Sequence, residues 1–111
     1  MFPDVKTQLS RLFAALGEPT ARQVAALCFR EQRKGMDFLL VTTRRTGRWT
    51  PPKGNIFADK GEPESAAIEA WEEAGVKGIV HPQHLGDYET LKYRKGDGWE
   101  KLTVAVYPLE V

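Results

Sequence analysis

The chain has 111 residues, 41% of them hydrophobic and 28% charged, with a formal net charge of +1, which bounds it to one ordinary globular domain. So even a charge balance gives no bulk electrostatic basis for gripping nucleic acid or a membrane surface. A single cysteine, Cys28, excludes an intrachain disulfide and suits a reducing cytoplasm.

Residues 4 to 15 space Val5, Leu9, Leu12, Phe13 and Leu16 at helical intervals, with Gly17 as the stop and Pro19 beyond it. Asp4, Lys6 and Arg11 interrupt this segment, so it lacks the apolar core of a signal peptide, and no run approaches a membrane span. QVAALCFR, residues 23 to 30, reads as a buried strand in which Cys28 is a small hydrophobe. A turn around Lys34-Gly35 leads to a second strand from Asp37 to Thr43, and the two read as a hairpin. Arg44 to Arg48 is a basic loop bending at Gly47. Trp49-Thr50 opens an extended piece that Pro51 and Pro52 keep out of helix.

Residues 55 to 63 read as a loop, followed by a helix from about Glu64 to Ala74. Its apolar face is expected to be Ala67, Ala70, Trp71 and Ala74, with Trp71 in the core and the glutamates opposite. Gly75 is the expected left-handed C-cap. Strands follow near Ile79-Val80, from Leu85 to Tyr93 and from Trp99 to Val111, the last two joined across Gly96-Asp97-Gly98. Helix, strands, helix, strands is the order of an α/β sandwich around a mixed sheet.

The chemistry concentrates on Glu69, Glu72 and Glu73. At spacings of three and four they share one helix face, where like charges repel by a few tenths of a kcal/mol per pair. A hard divalent cation, which prefers oxygen ligands, would offset that cost. Tied at fixed distances to Gly54 and Gly75, the cluster is far more specific than an acidic helix face alone.

The stretch from Gly54 to Val76 resembles the Nudix box, which reads Gly, five residues, Glu, seven residues, then Arg-Glu-apolar-x-Glu-Glu-x-Gly-apolar. Gly54, Glu69, Ala70, Glu72, Glu73, Gly75 and Val76 occupy box positions, and Lys53 before Gly54 also fits. RTGRWTPPKG followed by AIEAWEEAGV is similar to bacterial Nudix proteins of the diphosphoinositol-polyphosphate phosphohydrolase-like group. Two positions depart from the box. Lys60 stands at its first Glu, with Glu62 two residues out of register, and Ile68 stands at its Arg. That Arg usually orients the catalytic glutamate through a salt bridge, and Lys60 and Lys77 are the candidate substitutes here.

The resemblance implies a single Nudix domain over residues 1–111, with an α/β/α sandwich around a mixed sheet that lacks the usual C-terminal helix. One sheet face would then be open, or covered by the N-terminal helix or by a partner chain, and a homodimer is the expectation for that face. The implied activity is Mg²⁺-dependent hydrolysis of a pyrophosphate bond, with Mn²⁺ as the alternative ion. The implied substrate is a nucleoside diphosphate derivative, dinucleoside polyphosphate or inositol pyrophosphate. Glu69 and Glu73 are the implied direct ligands, and Glu72 a ligand or base. A small-molecule polyphosphate or nucleotide is the expected partner; neither nucleic acid nor membrane is. The competing reading is a Nudix-fold protein that binds such a molecule without hydrolysing it, and Lys60 and Ile68 favour it.

Around this centre, Lys53 supplies a point charge for phosphate, and Gly54 permits close backbone approach. Arg44, Arg45 and Arg48 are candidate phosphate contacts, since guanidinium matches phosphate oxygens in a two-pronged way. Lys92, Arg94, Lys95 and Lys101 would hold a polyphosphate tail or form a solvated hairpin tip. Glu89 and Glu100 are further candidates for the general base. Trp49 is placed on a base, or in the core or at an edge, and Tyr88, Tyr93 and Trp99 in core or rim packing. His81 and His84 lack the companions a zinc site needs.

Overall fold

Two long parallel strands carry the molecule. In the computed structural model, which describes residues 5–44 and 47–111, β1 (Ala21–Gln32) lies parallel to β8 (Gly98–Glu110), in register from Ala21↔Leu102 to Phe29↔Glu110. Side chains alternate across a strand. Val24, Ala26 and Cys28 therefore share a face with Ala105, Tyr107 and Leu109, and all six are buried. Helix α2 (Glu62–Ala74) packs on that face through Ala66 and Ala70.

The free edge of β1 is divided between two antiparallel partners. β2 (Gly35–Leu39) pairs with Cys28–Gln32, and β5 (Lys53–Asn55) pairs with Gln23–Ala25. The other edge of β8 is shared by β7 (Gly86–Arg94), paired with Gly98–Val106, and β6 (Ile79–Val80), paired with Leu109 and Glu110, both antiparallel. β3 (Val41–Thr42) and β4 (Trp49–Thr50) form a separate two-stranded ribbon. The expected α/β arrangement around a mixed sheet is thus observed. Helix α1 (Val5–Ala15) ends before Gly17 at φ +68°, and its Phe13 ring lies 3.8 Å from the Lys101 ammonium. No helix among the described residues is long and apolar enough to cross a membrane.

The sheet face opposite α2 is open at the far end of the β1–β8 pair. Phe29, Ile79, Leu85 and Pro108 line a depression of about 610 Å³ there, with Ile79 79% and Leu85 63% exposed.

Four expectations need correction. The strand expected from Asp37 to Thr43 breaks at Leu40, because the edge of β1 below Cys28 is occupied by β5, and β3 leaves to pair with β4. Residues 53 to 55 are therefore a strand where sequence spacing gave only an extended entry to a loop. Helix α2 starts at Glu62, with Pro63 in its first turn, where a missing N–H costs nothing. Finally, Trp71 is not core: it is 52% exposed, with the Lys77 ammonium 4.5 Å from its ring. The buried stripe of α2 is Ser65, Ala66, Glu69 and Ala70, so Glu69 sits on the packed side rather than opposite it.

Candidate active site

Helix α2 is fixed at both ends. The Ser65 N–H donates to the Gly61 carbonyl at 3.0 Å, and the Ser65 hydroxyl accepts from the Phe57 N–H at 3.0 Å, which ties the preceding loop to the first turn. At the other end Gly75 is left-handed, φ +68°, and its N–H reaches the Trp71 carbonyl at 2.9 Å. This places the glutamates against β5.

Strand β5 meets two of the three carboxylates. A Cβ at Gly54 would lie 2.5 and 2.6 Å from the two Glu69 oxygens, so Glu69 occupies the space a side chain would need. The next residue back, Lys53, donates its backbone N–H to Glu73 Oε2 at 3.2 Å. Glu69 is 9% exposed, and burial, then the charges of Glu73 and Glu72, push its carboxyl above the ordinary range. Burial likewise raises Glu73, against the Lys53 N–H and ammonium, which favour its ionised form.

Cations line the same cleft. Lys53 is half-buried, and burial, followed by the charge of Lys92, lowers its pKa; Glu73 acts the other way and Arg48 adds to the lowering. Lysine and glutamates, shifted chiefly by burial, share a cleft of about 890 Å³ whose lining carries both signs of charge.

Glu69, Glu72, Glu73, Lys53, Gly54 and Arg44 all line this cleft. The charge of Arg48 reaches Lys53, and Arg45 lies outside the described residues. Among the described residues, no three His, Cys, Asp or Glu side chains form a ready-made metal shell. The donor set is nevertheless all oxygen and anionic, with Glu69 and Glu73 raised by burial and neighbouring charge, which suits a hard cation that retains its own waters.

Several outlying candidates fall away from the cleft. Glu100 accepts from Arg94 at 2.7 Å and from the Thr20 hydroxyl at 3.2 Å, while Glu89 lies 3.8 Å from Lys101. Neither lines the cleft. Lys101 is buried beneath Phe13, and Arg94 is spent on Glu100, so of the four cations near the last hairpin Lys92 is the one that enters the cleft. Lys60 is exposed and Lys77 lies on Trp71; neither forms an ion pair with Glu69 among the described residues. Trp49 is 71% exposed on the ribbon edge, and Tyr88 is half-buried, where burial raises the pKa of its hydroxyl. His81 bonds locally to Gln83, and His84 lies 3.5 Å from Asp87.

Sequence reasoning passed over two features. Gln23 and Asn55 meet side chain to side chain on the cleft floor. Their signal was a polar residue at the start of an apolar strand run. At the first turn of α2, Arg22 grips Glu62 through Nε at 2.8 Å and Nη2 at 3.0 Å, and the Tyr107 hydroxyl donates to the same carboxylate at 3.0 Å. Its members are 40 and 45 positions from Glu62, beyond any local pattern.

The geometry agrees with what the chain resembles. The NUDIX domain model matches residues 19–109. Diphosphoinositol polyphosphate phosphohydrolase 3-alpha of Mus musculus is 39% identical over 75 residues, which is 67% of this chain and 44% of that protein. The chain therefore spans under half the length of that relative. Among solved structures, the MutT protein of Methanosarcina mazei Go1 is similar at 26% identity and a TM-score of 0.64, covering 86% of this chain and 67% of its own. The C. elegans Ap4A hydrolase superposes with a TM-score of 0.57 at 22% identity, over 81% of this chain and 68% of its own, a likeness of fold alone. On the match across residues 19–109, with Gly54, Glu69 and Glu73 meeting at one cleft, this chain belongs to the Nudix family.

Proposed function

We propose that this chain hydrolyses a pyrophosphate bond in a small anionic molecule with the help of Mg²⁺, or of Mn²⁺ in its place. The observation that carries the reading is that acids and cations line one cleft: Glu69 and Glu73, both raised chiefly by burial, together with Lys92 and Lys53, the latter lowered first by burial and then by the charge of Lys92. Glu69 and Glu73 would hold the cation, whose chemistry is to neutralise phosphate oxygens and acidify a bound water. Lys53, Lys92 and Arg44 would bind and orient the non-bridging phosphate oxygens, with Arg48 adding positive charge behind them. Glu72, exposed on the rim of the cleft, would take the proton from the attacking water as its oxygen bonds to phosphorus. The bridging P–O bond then breaks, and each product leaves with its own phosphate.

The substrate classes that suit this charge layout are inositol pyrophosphates, dinucleoside polyphosphates and nucleoside diphosphate derivatives. The likeness to a diphosphoinositol polyphosphate phosphohydrolase supports the first of them. The reading places the reaction in the cytoplasm, in keeping with one buried thiol, Cys28. It also includes self-association through the open depression on the sheet, which a strictly monomeric mass by light scattering at high concentration would refute.

The test is phosphate release across those three substrate classes and nucleoside triphosphates, with and without Mg²⁺. Metal-dependent turnover of one class supports the proposal and names the substrate. Tight binding without turnover of any class would instead support the binding-protein reading.

A further inference from the structure

Among the described residues, the carboxylates of Glu69 and Glu73 form no ion pair with a cation of the kind the box provides at position 68, where Ile68 is uncharged. Both carboxylates instead rest on adjacent residues of β5, Glu69 against Gly54 and Glu73 on the Lys53 N–H. Where β5 sits therefore decides where the two carboxylates point.

β5 is only three residues long, little ladder to hold a strand by itself. It is pinned at both ends to β1. Before it, the Pro52 carbonyl accepts from the Ala26 N–H at 2.9 Å. At its last residue, the Gln23 amide donates through Nε2 to Asn55 Oδ1 at 3.1 Å, directly across the register pair Gln23↔Asn55. Gln23 is 6% exposed, so its side of this part-buried bond lies out of water, where an amide without a partner is disfavoured.

We infer that Gln23 and Asn55 are positioning residues for the Glu69–Glu73 pair: their side-chain bond fixes β5, and β5 in place of a guanidinium sets the carboxylate geometry. This rests on the reading of that pair as a cation site. The test is calorimetric titration of Mn²⁺ into the full chain, well below its melting temperature, for wild type, Asn55→Ala, Gln23→Leu and the same-strand core variant Cys28→Ala. Asn55 is exposed, so Asn55→Ala is expected to fold even if Gln23→Leu does not. The expected result is affinity weakened roughly tenfold or more in Asn55→Ala and Gln23→Leu, the range seen when a ligand loses its support, with Cys28→Ala less heat-stable but binding as wild type does. Unchanged affinity in Asn55→Ala and Gln23→Leu overturns the inference, as does equal weakening in Cys28→Ala, which would mark a general loss of structure. No Mn²⁺ binding by the wild-type chain overturns the cation-site reading itself.

Discussion

Gly54 is the residue whose absence of a side chain has the clearest chemical consequence, because the Glu69 carboxylate stands where its Cβ would be. Gly54→Ala must push β5 or Glu69 aside. Because the atoms in the way are the far end of a flexible side chain, we expect cation binding to be lost with little change in melting temperature, checked by thermal melts and Mn²⁺ titration of one preparation. Glu73→Gln keeps an acceptor for the Lys53 N–H but removes the charge. Metal-dependent turnover should vanish while the melting temperature holds, and unchanged turnover would discard the mechanism. Acidity offers a third check. Burial and neighbouring charges raise Glu69, and burial raises Glu73, above the ordinary 4.5. An acid raised on folding binds more protons folded than unfolded. Without metal, these two groups therefore make the chain less stable as pH rises from about 4.5 through their raised values. Cation affinity, which needs them ionised, climbs over the same window. Denaturant midpoints with a chelator present should show a weaker pH dependence in Glu69→Gln than in wild type across that window; identical curves would refute it.

At the level of elements, helix α2 was legible in its glutamate spacing and its Gly75 stop, because capping and periodicity are local. Its orientation was not. Hydrophobicity pointed to Trp71 as the inward residue, yet the sheet accepts the small residues Ala66 and Ala70, which allow close approach and bring Glu69 to β5. Strand β5 was illegible for a related reason: three residues of KGN carry no hydrophobic alternation, and only the vacant edge of β1 makes them a strand. The Arg22–Glu62–Tyr107 network anchors the start of α2. Arg22 first, and Tyr107 after it, hold Glu62 below the usual carboxylate range. Its stabilisation is present above the ordinary 4.5 and lost as pH falls through the lowered value. Glu62→Ala takes its partner from the Tyr107 hydroxyl and leaves the exposed Arg22 with Asp87 at 3.5 Å, so it should cost about 1 kcal/mol in a denaturant titration near neutral pH. Lys92, on β7 across the cleft, contributes charge without touching the carboxylates. Lys92→Ala should therefore raise KM several-fold with kcat nearly unchanged, the mark of binding shared by ground and transition states; a fall in kcat alone would assign Lys92 to the chemistry instead.

The whole molecule is held by pairings that no local pattern announces. Strands could be read from apolar runs, and the α/β class from their order, but the parallel pairing of β1 with β8 joins the two ends of the described chain. Its radius of gyration is 15.6 Å, with extents of 51 × 36 × 23 Å, against about 13 Å for a compact domain of about this length. The same pairing governs the order of events during folding. Every rung from Ala21↔Leu102 to Phe29↔Glu110 spans 81 residues, and contacts of such separation form slowly because the closure entropy comes first. The part of the cleft that carries the three glutamates, by contrast, is contiguous from Lys53 to Glu73. A chain still emerging from the ribosome would thus have made all three glutamates well before the last strand arrives to pair with β1.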